Sequence, residues 1–201
     1  MVIELLSSQP LAGTICERHY DVSARTNTWV RFDDEEGGEW VGIFGSAELA
    51  QYSSAVPFAD DGGRTALILS RGQGYIVDTS SGVLLRKTPW DYACAAVGVP
   101  GRDFIVVANT TEIWATDRAT DRYVRREGRA WYDDDRGPVP TRVALDGIIL
   151  EHVTGTELTG RVWEMDGWYA FRVDLETLAF RRGALLTADW EAGGKPTAPA
   201  V

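Results

Sequence analysis

Apolar residues along this chain fall mostly in short runs interrupted by turn-forming residues. "TALILS" (65–70) is rich in Leu and β-branched residues. "RGQG" follows as a turn and "YIVD" (75–78) as the next strand, then "TSSG" turns again and "VLLRK" (83–87) makes a third strand. Turns this tight leave no room for crossovers, so the segment predicts an antiparallel meander. The same grammar returns in "RDFIVVANTTEIWATDRATDRYVRR" (102–126) and in "VWEMDGWYAFRVDLETLAFRR" (162–182), where Asp166-Gly167 marks a hairpin turn.

Three of these turns share Asp-x-x-Ser/Thr between two strands: Asp78 with Ser81, Asp117 with Thr120, and Asp174 with Thr177. An Asp that opens a turn accepts hydrogen bonds from backbone N–H groups further round it, and a Ser or Thr hydroxyl does the same. A basic pair follows each turn: Arg86 and Lys87, Arg125 and Arg126, Arg181 and Arg182. The Asp residues lie 39 positions apart (78 to 117) and then 57 apart (117 to 174), the longer gap holding "AWYDDDRGPVP" and a hairpin around Asp146-Gly147. Repeats near 40 residues with several short strands each predict stacked meander sheets.

The phrases "GYIVDTSSGVLLRKTPW" and "YAFRVDLETLAFRRG" resemble the closing strands of quinoprotein-type or WD40-type propeller blades. That resemblance implies an all-β, partial or small β-propeller-like architecture of repeated antiparallel meander hairpins. The Trp-Asp dipeptide of WD40 blades occurs here as Trp90-Asp91, after a turn, and the chain is shorter than complete propellers usually are. Upstream, "TNTWVRFDDEEGGEWVGIFGS" (26–46) reads as a further, divergent hairpin with an acidic loop. "SAELAQYS" (46–53) is a short helix candidate. "DYACAAVG" (91–98) reads as a helix or a strand. Residues 1–187 are expected to form one all-β repeat domain, and 188–201, rich in Gly, Pro and Ala, a flexible tail.

Composition narrows the chemistry. The net charge of −10 disfavours nucleic acid and anionic lipid as partners and would steer a basic protein. Two cysteines, Cys16 and Cys94, make no disulfide framework, and free thiols in a cytoplasmic protein are expected. The N-terminus carries no signal-peptide pattern, and no run is long enough to span a membrane. His19 and His152 are the only histidines, and neither they nor the cysteines make a metal-ligand spacing, so no metal and no cofactor is expected. No G-x-S-x-G nucleophile elbow is present. The arginine-rich stretch 118–129 is interleaved with Asp121 and Glu127, as on an edge strand that resists unwanted pairing.

Carboxylates are the abundant chemistry, in "FDDEEGGEW" (32–40), "FADDGGR" (58–64) and "YDDDRGP" (132–138). Runs of like charge beside Gly and Pro favour solvated loops. The expected function is therefore a non-enzymatic, acidic protein–protein interaction module, in its most concrete form an immunity-type inhibitor of a basic toxin. Its partner-binding residues would be Asp33, Asp34, Glu35, Glu36, Asp133, Asp134 and Asp135, with Trp40 and Trp131 as aromatic anchors. The alternative is a carbohydrate-active hydrolase using paired carboxylates. A homo-oligomer that completes a ring through its partner is a third reading.

Overall fold

The computed structural model describes residues 2–11, 15–22, 26–33, 38–46, 52–90, 92–125, 147–164 and 167–187. Most of the helix candidate 46–53, the acidic run 132–138 with Trp131 before it, and the tail 188–201 lie outside these. Strand and turn account for the described chain, and no helix occurs among the described residues. The segment 95–98, left open between helix and strand, is a strand.

Sheet I contains β1 (Val2–Leu6), β2 (Cys16–Tyr20), β3 (Asn27–Asp33) and β4 (Glu39–Gly45), in the order β1-β3-β4-β2. Sheet II is the meander β5 (Ser53–Pro57), β6 (Thr65–Ser70), β7 (Gln73–Asp78) and β8 (Leu84–Lys87). Sheet III repeats it with β9 (Ala95–Gly98), β10 (Ile105–Ala108), β11 (Ile113–Thr116) and β12 (Asp121–Arg125). Sheet IV repeats it again with β13 (Ile148–Thr154), β14 (Glu157–Glu164), β15 (Gly167–Asp174) and β16 (Phe180–Thr187). The fold is thus all-β and propeller-like, with four-stranded sheets stacked in chain order.

Alternation on each strand divides the core into three layers. Ala66, Ile68, Tyr75 and Val77 of sheet II meet Val30, Phe32, Trp40 and Phe44 of sheet I. The alternate residues Leu67, Leu69 and Ile76 face the other way, onto Ile105, Val107 and Trp114 of sheet III. Val106, Ala108, Ile113 and Ala115 then meet Leu158, Val162, Phe171 and Val173 of sheet IV. Sheets II and III are buried on both faces, which is why "TALILS" and "FIVVA" read as unbroken apolar runs. The end sheets keep an alternating pattern, as in β3 and β15.

The turn "RG" is resolved as Arg71 (φ 46°) and Gly72 (φ 106°) between the paired Ser70 and Gln73. Two left-handed residues match the twist of the flanking strands, and Gly meets that demand without a Cβ penalty.

Sheet I departs from the repeat in two ways. Its last strand, β2, lies parallel to β4, whereas every other neighbouring pair is antiparallel. It also packs upside down. Thr28 at the start of β3 meets Ser70 at the end of β6, and Tyr75 at the start of β7 donates to the carbonyl of Gly45 at the end of β4, 2.9 Å away. The expected divergent first unit is therefore an inverted cap on three equivalent sheets. Because β1 and β2 run the same way, the chain between them must return to the strand start over the face away from sheet II. Ser7, Ser8, Pro10 and Ile15 do so, enclosing a shallow cavity of about 340 Å³ against Glu4 and Arg31. Val41 and Ile43 on that face are buried although sheet II lies on the other side.

Candidate functional site

The three Asp turns occupy equivalent places, each joining the third and fourth strands of sheets II, III and IV. Asp78 Oδ1 accepts from the backbone N–H of Ser80 and Ser81 at 3.2 and 2.7 Å. Asp117 Oδ1 accepts from those of Ala119 and Thr120 at 2.7 and 2.6 Å. Asp174 Oδ1 accepts from those of Glu176 and Thr177 at 2.8 and 2.9 Å. The repeat seen in the sequence is thus a repeat in space, carried by local side chain–backbone bonding.

These turns fall on one end of the molecule, together with the β5–β6 and β9–β10 loops. The inversion of sheet I adds the end of β3 and the start of β4 to the same end, because Trp40 at the start of β4 donates its indole N–H to the Thr79 carbonyl at 2.8 Å. Asp33 and Glu39 are the acidic residues described there. The end so formed carries carboxylates from all four sheets: Asp33 and Glu39, Asp60, Asp61 and Asp78, Asp103 and Asp117, Asp174 and Glu176.

Several cations of this end are engaged within the chain. Arg118 donates to Thr65 Oγ1 at 2.8 Å, to both oxygens of Asp60 at 2.8 and 3.0 Å, and to Asp61 at 2.6 Å, with its guanidinium over the Phe58 ring. Arg86 holds Asp121 through two bonds of 2.7 and 3.1 Å and also donates to the carbonyls of Asp117 and Thr120. Arg102 pairs with Glu176 at 3.1 Å. Each of these bonds ties one sheet to the Asp turn or loop of its neighbour. On the sheet I side, Tyr20 reaches the Gly82 carbonyl at 2.5 Å and Arg18 lies over the Trp40 ring. Gly82 has φ 64°, a left-handed turn position, and the Arg18 side chain occupies the space a Cβ there would need.

The titration behaviour follows from these contacts. For Asp61, partial burial raises the carboxyl pKa, but bonds from Thr65 and Arg118 outweigh it and hold it below the usual value. At Asp78 and Asp117 burial again opposes, and bonds from the turn win. At Asp174 the Thr177 and Glu176 N–H groups lower it directly. A general acid needs a shift in the opposite direction. Burial pushes the Tyr20 and Tyr75 hydroxyls up to about 12, so both stay protonated donors.

The expected site residues divide as follows. Asp33 stands at the described edge of the acidic hairpin, 3.5 Å from Arg31, which also pairs with Glu4 at 2.6 Å. Asp34, Glu35, Glu36, Trp131, Asp133, Asp134 and Asp135 lie outside the described residues. Trp40 is 6% exposed and stacks on Phe32 with centroids 4.1 Å apart. Its place on an inward-facing position of β4 makes it a core residue and not an exposed anchor. Cys16 and Cys94 are both free thiols, as expected. Among the described residues no group of three or more His, Cys, Asp or Glu is arranged to hold a metal.

Sequence reasoning missed the loop carboxylates Asp60 and Asp61 as partners of Arg118. It also misplaced the basic positions. The residue paired two before each turn Asp identifies the equivalents: Ile76 with Arg86, Ala115 with Arg122, and Arg172 with Arg181. Arg122, not Arg125, is the counterpart in sheet III.

No family model matches the chain, and no curated protein matches it. Among solved structures it is similar to the N-terminal domain of Nup159, at 12% identity and a TM-score of 0.40, over 65% of this chain and 35% of that one. The chain therefore spans about a third of the Nup159 chain. A likeness of that score adds nothing to the fold read from the strand pairing.

Proposed function

We propose that the protein is a non-enzymatic, acidic protein–protein interaction module whose partner is a basic protein, and, in its most specific form, a cytoplasmic immunity-type inhibitor that neutralises a basic toxin. The observation that carries the reading is the shared anionic end. Arg86, Arg102 and Arg118 are already bound to carboxylates or carbonyls of the chain, so they do little to attract further anions. Four of the carboxylates there are held ionised by lowered pKa values. The net charge of −10 is thus expressed to solvent in part through a rigid surface built on three packed cores. Such a field speeds encounter with a cation-rich partner and disfavours acidic ones.

The test is capture from a lysate of the native host, followed by stopped-flow association with the protein retained. A basic partner is expected, with an association rate that falls steeply as salt rises. Replacing Asp33, Asp34, Glu35 and Glu36 together by Asn or Gln should slow association and flatten its salt dependence, with the melting temperature nearly unchanged. A partner that binds at the same rate in the four-fold variant removes this hairpin from the interface. Retention of a neutral or acidic partner with salt-insensitive association overturns the reading.

A further inference from the structure

We propose that the outer face of sheet IV is the surface on which a second copy of this chain docks, face to face about a two-fold axis. The other sheet faces are accounted for. Sheets I and II, II and III, and III and IV close on each other through the three cores, and the outer face of sheet I is crossed by its own β1–β2 connection. Among the described residues, no strand packs on the outer face of sheet IV.

That face is equipped like the faces that are covered. Trp163 and Trp168 are cross-strand partners with ring centroids 5.5 Å apart at 69°, and Ala170, paired with Arg161, follows Trp168 on the same face. Arg181 occupies the position of Arg86 and Arg122, the first basic residue of the fourth strand facing the next sheet. Arg86 binds the turn of sheet III, and Arg122 lies over the Phe104 ring. Arg181 makes no hydrogen bond among the described residues; its charge helps lower the Asp174 pKa, and its side chain is exposed.

Charge identifies the occupant. On a chain of net charge −10 this face is balanced, with Arg161, Arg172 and Arg181 set among Glu151, Glu157 and Asp174. A balanced alternation is complementary to itself under a two-fold axis, whereas a basic partner is better matched by the anionic end. Because the opposite face of the stack is closed by the crossover, head-to-tail growth is blocked and the contact closes as a dimer. A two-fold axis lying across the strands would pack the sheets in the inverted sense that sheet I takes on sheet II. Four strands of about eight residues present roughly 500 Å² before side-chain relief is counted. That is the same order as the roughly 800 Å² per partner of a stable interface.

Sedimentation velocity of the full chain over a concentration series tests this. The expected species has twice the 22.1 kDa chain mass. Ala170→Glu should give a folded monomer, with wild-type circular dichroism and melting behaviour. Should Ala170→Glu fail to fold, Arg181→Glu decides, since it changes an exposed side chain that makes no hydrogen bond among the described residues; a dimer dissociation constant raised at least about tenfold, or roughly 1.4 kcal/mol, supports the proposal. A wild-type chain that stays monomeric at every concentration overturns it and leaves the face to a different protein. So does any stoichiometry other than two, or a dimer that keeps its affinity in the deciding variant.

Discussion

Replacing Arg86 by Met should cost the fold about 3 kcal/mol. The substitution keeps the apolar stem and removes the guanidinium. Arg86 and Asp121 are 16% and 12% exposed, so the pair sits largely out of water. Without the arginine, Asp121 retains the 2.7 Å bond from Thr116, and the carbonyls of Asp117 and Thr120 lose a charged donor. Breaking a buried ion pair by removing one partner typically costs about 3–5 kcal/mol, because the remaining charge is left uncompensated. Partial exposure places this pair at the low end of that range. At about 2–4 °C per kcal/mol for a chain of this size, the melting temperature should fall by roughly 6–12 °C.

The control is the neighbouring residue. Lys87 pairs with Asp21 across sheets II and I, but the two side chains are 45% and 55% exposed. Exposed pairs contribute about 0–1 kcal/mol, so Lys87→Met should lower stability by no more than that. Urea denaturation of both variants, with coincident fluorescence and circular dichroism transitions as the two-state check, separates the two values. Arg86→Met combined with Asp121→Asn should cost less than the separate changes together, since each single change leaves the other group stranded. Equal losses at Arg86 and Lys87, or strict additivity with Asp121, would refute the view that Arg86 locks sheet II to the turn of sheet III.

The turn aspartates predict acid sensitivity. Asp61, Asp78, Asp117 and Asp174 all have carboxyl pKa values below the ordinary 3.8, so the stability they add is present above that value and is lost as pH falls through the lowered ones. Urea midpoints measured from neutral pH down to strongly acidic conditions should drop below about pH 4, and Asp117→Asn should flatten that drop while keeping the Oδ1 acceptor. Asp117→Ala, which removes the acceptor, should cost about 1–2 kcal/mol at neutral pH. Cys16 is exposed, whereas burial pushes the Cys94 thiol pKa up. Native alkylation followed by mass spectrometry should label Cys16 first and Cys94 only slowly.

The meanders were legible in the sequence because their determinants are local. Asp78, Asp117 and Asp174 bond to N–H groups two and three residues on, and a pattern within five residues records such a contact. The apolar runs at 65–70 and 104–108 marked strands in the same local way, and the two cores that enclose them explain why those runs are unbroken. The contacts that join sheets left no such trace. Arg118 reaches Asp60 across 58 positions of sequence. Which arginine of a basic run faces the next sheet depends on strand register, so the pairs following each turn could not by themselves reveal that Arg122 is the counterpart of Arg86. Sheet I misled most. Its strands read as one more hairpin unit, but the parallel placement of β2 and the inverted packing are decided by partners far along the chain. Trp40 followed from that error: beside an acidic loop it resembles a rim aromatic, while the pleat points it into the core.

Salt separates the two associations assigned to this chain, because they should respond in opposite directions. Attraction between the anionic end and a basic partner weakens as ions screen it. Two copies of the chain each carry −10 and repel. With centres about 40 Å apart, the thickness of four stacked sheets at about 10 Å each, the unscreened repulsion in water is on the order of 10 kcal/mol. A Debye length of about 30 Å at 0.01 M salt leaves roughly 3 kcal/mol, and one of about 8 Å at 0.15 M leaves roughly 0.1. The local Arg and Glu pairs across the sheet IV contact each contribute at most about 1 kcal/mol and are screened as well, so the long-range term dominates the trend. Self-association should therefore tighten between 0.01 and 0.15 M salt by up to about a hundredfold while binding of the basic partner loosens. An inverted arrangement of the copies sets the two acidic ends far apart and reduces the penalty further. Sedimentation velocity at both salt levels, on the same sample used for partner binding, measures both slopes. A dimer that dissociates as salt rises would mean that ion pairs hold the sheet IV contact, not the apolar Trp163 and Trp168 surface.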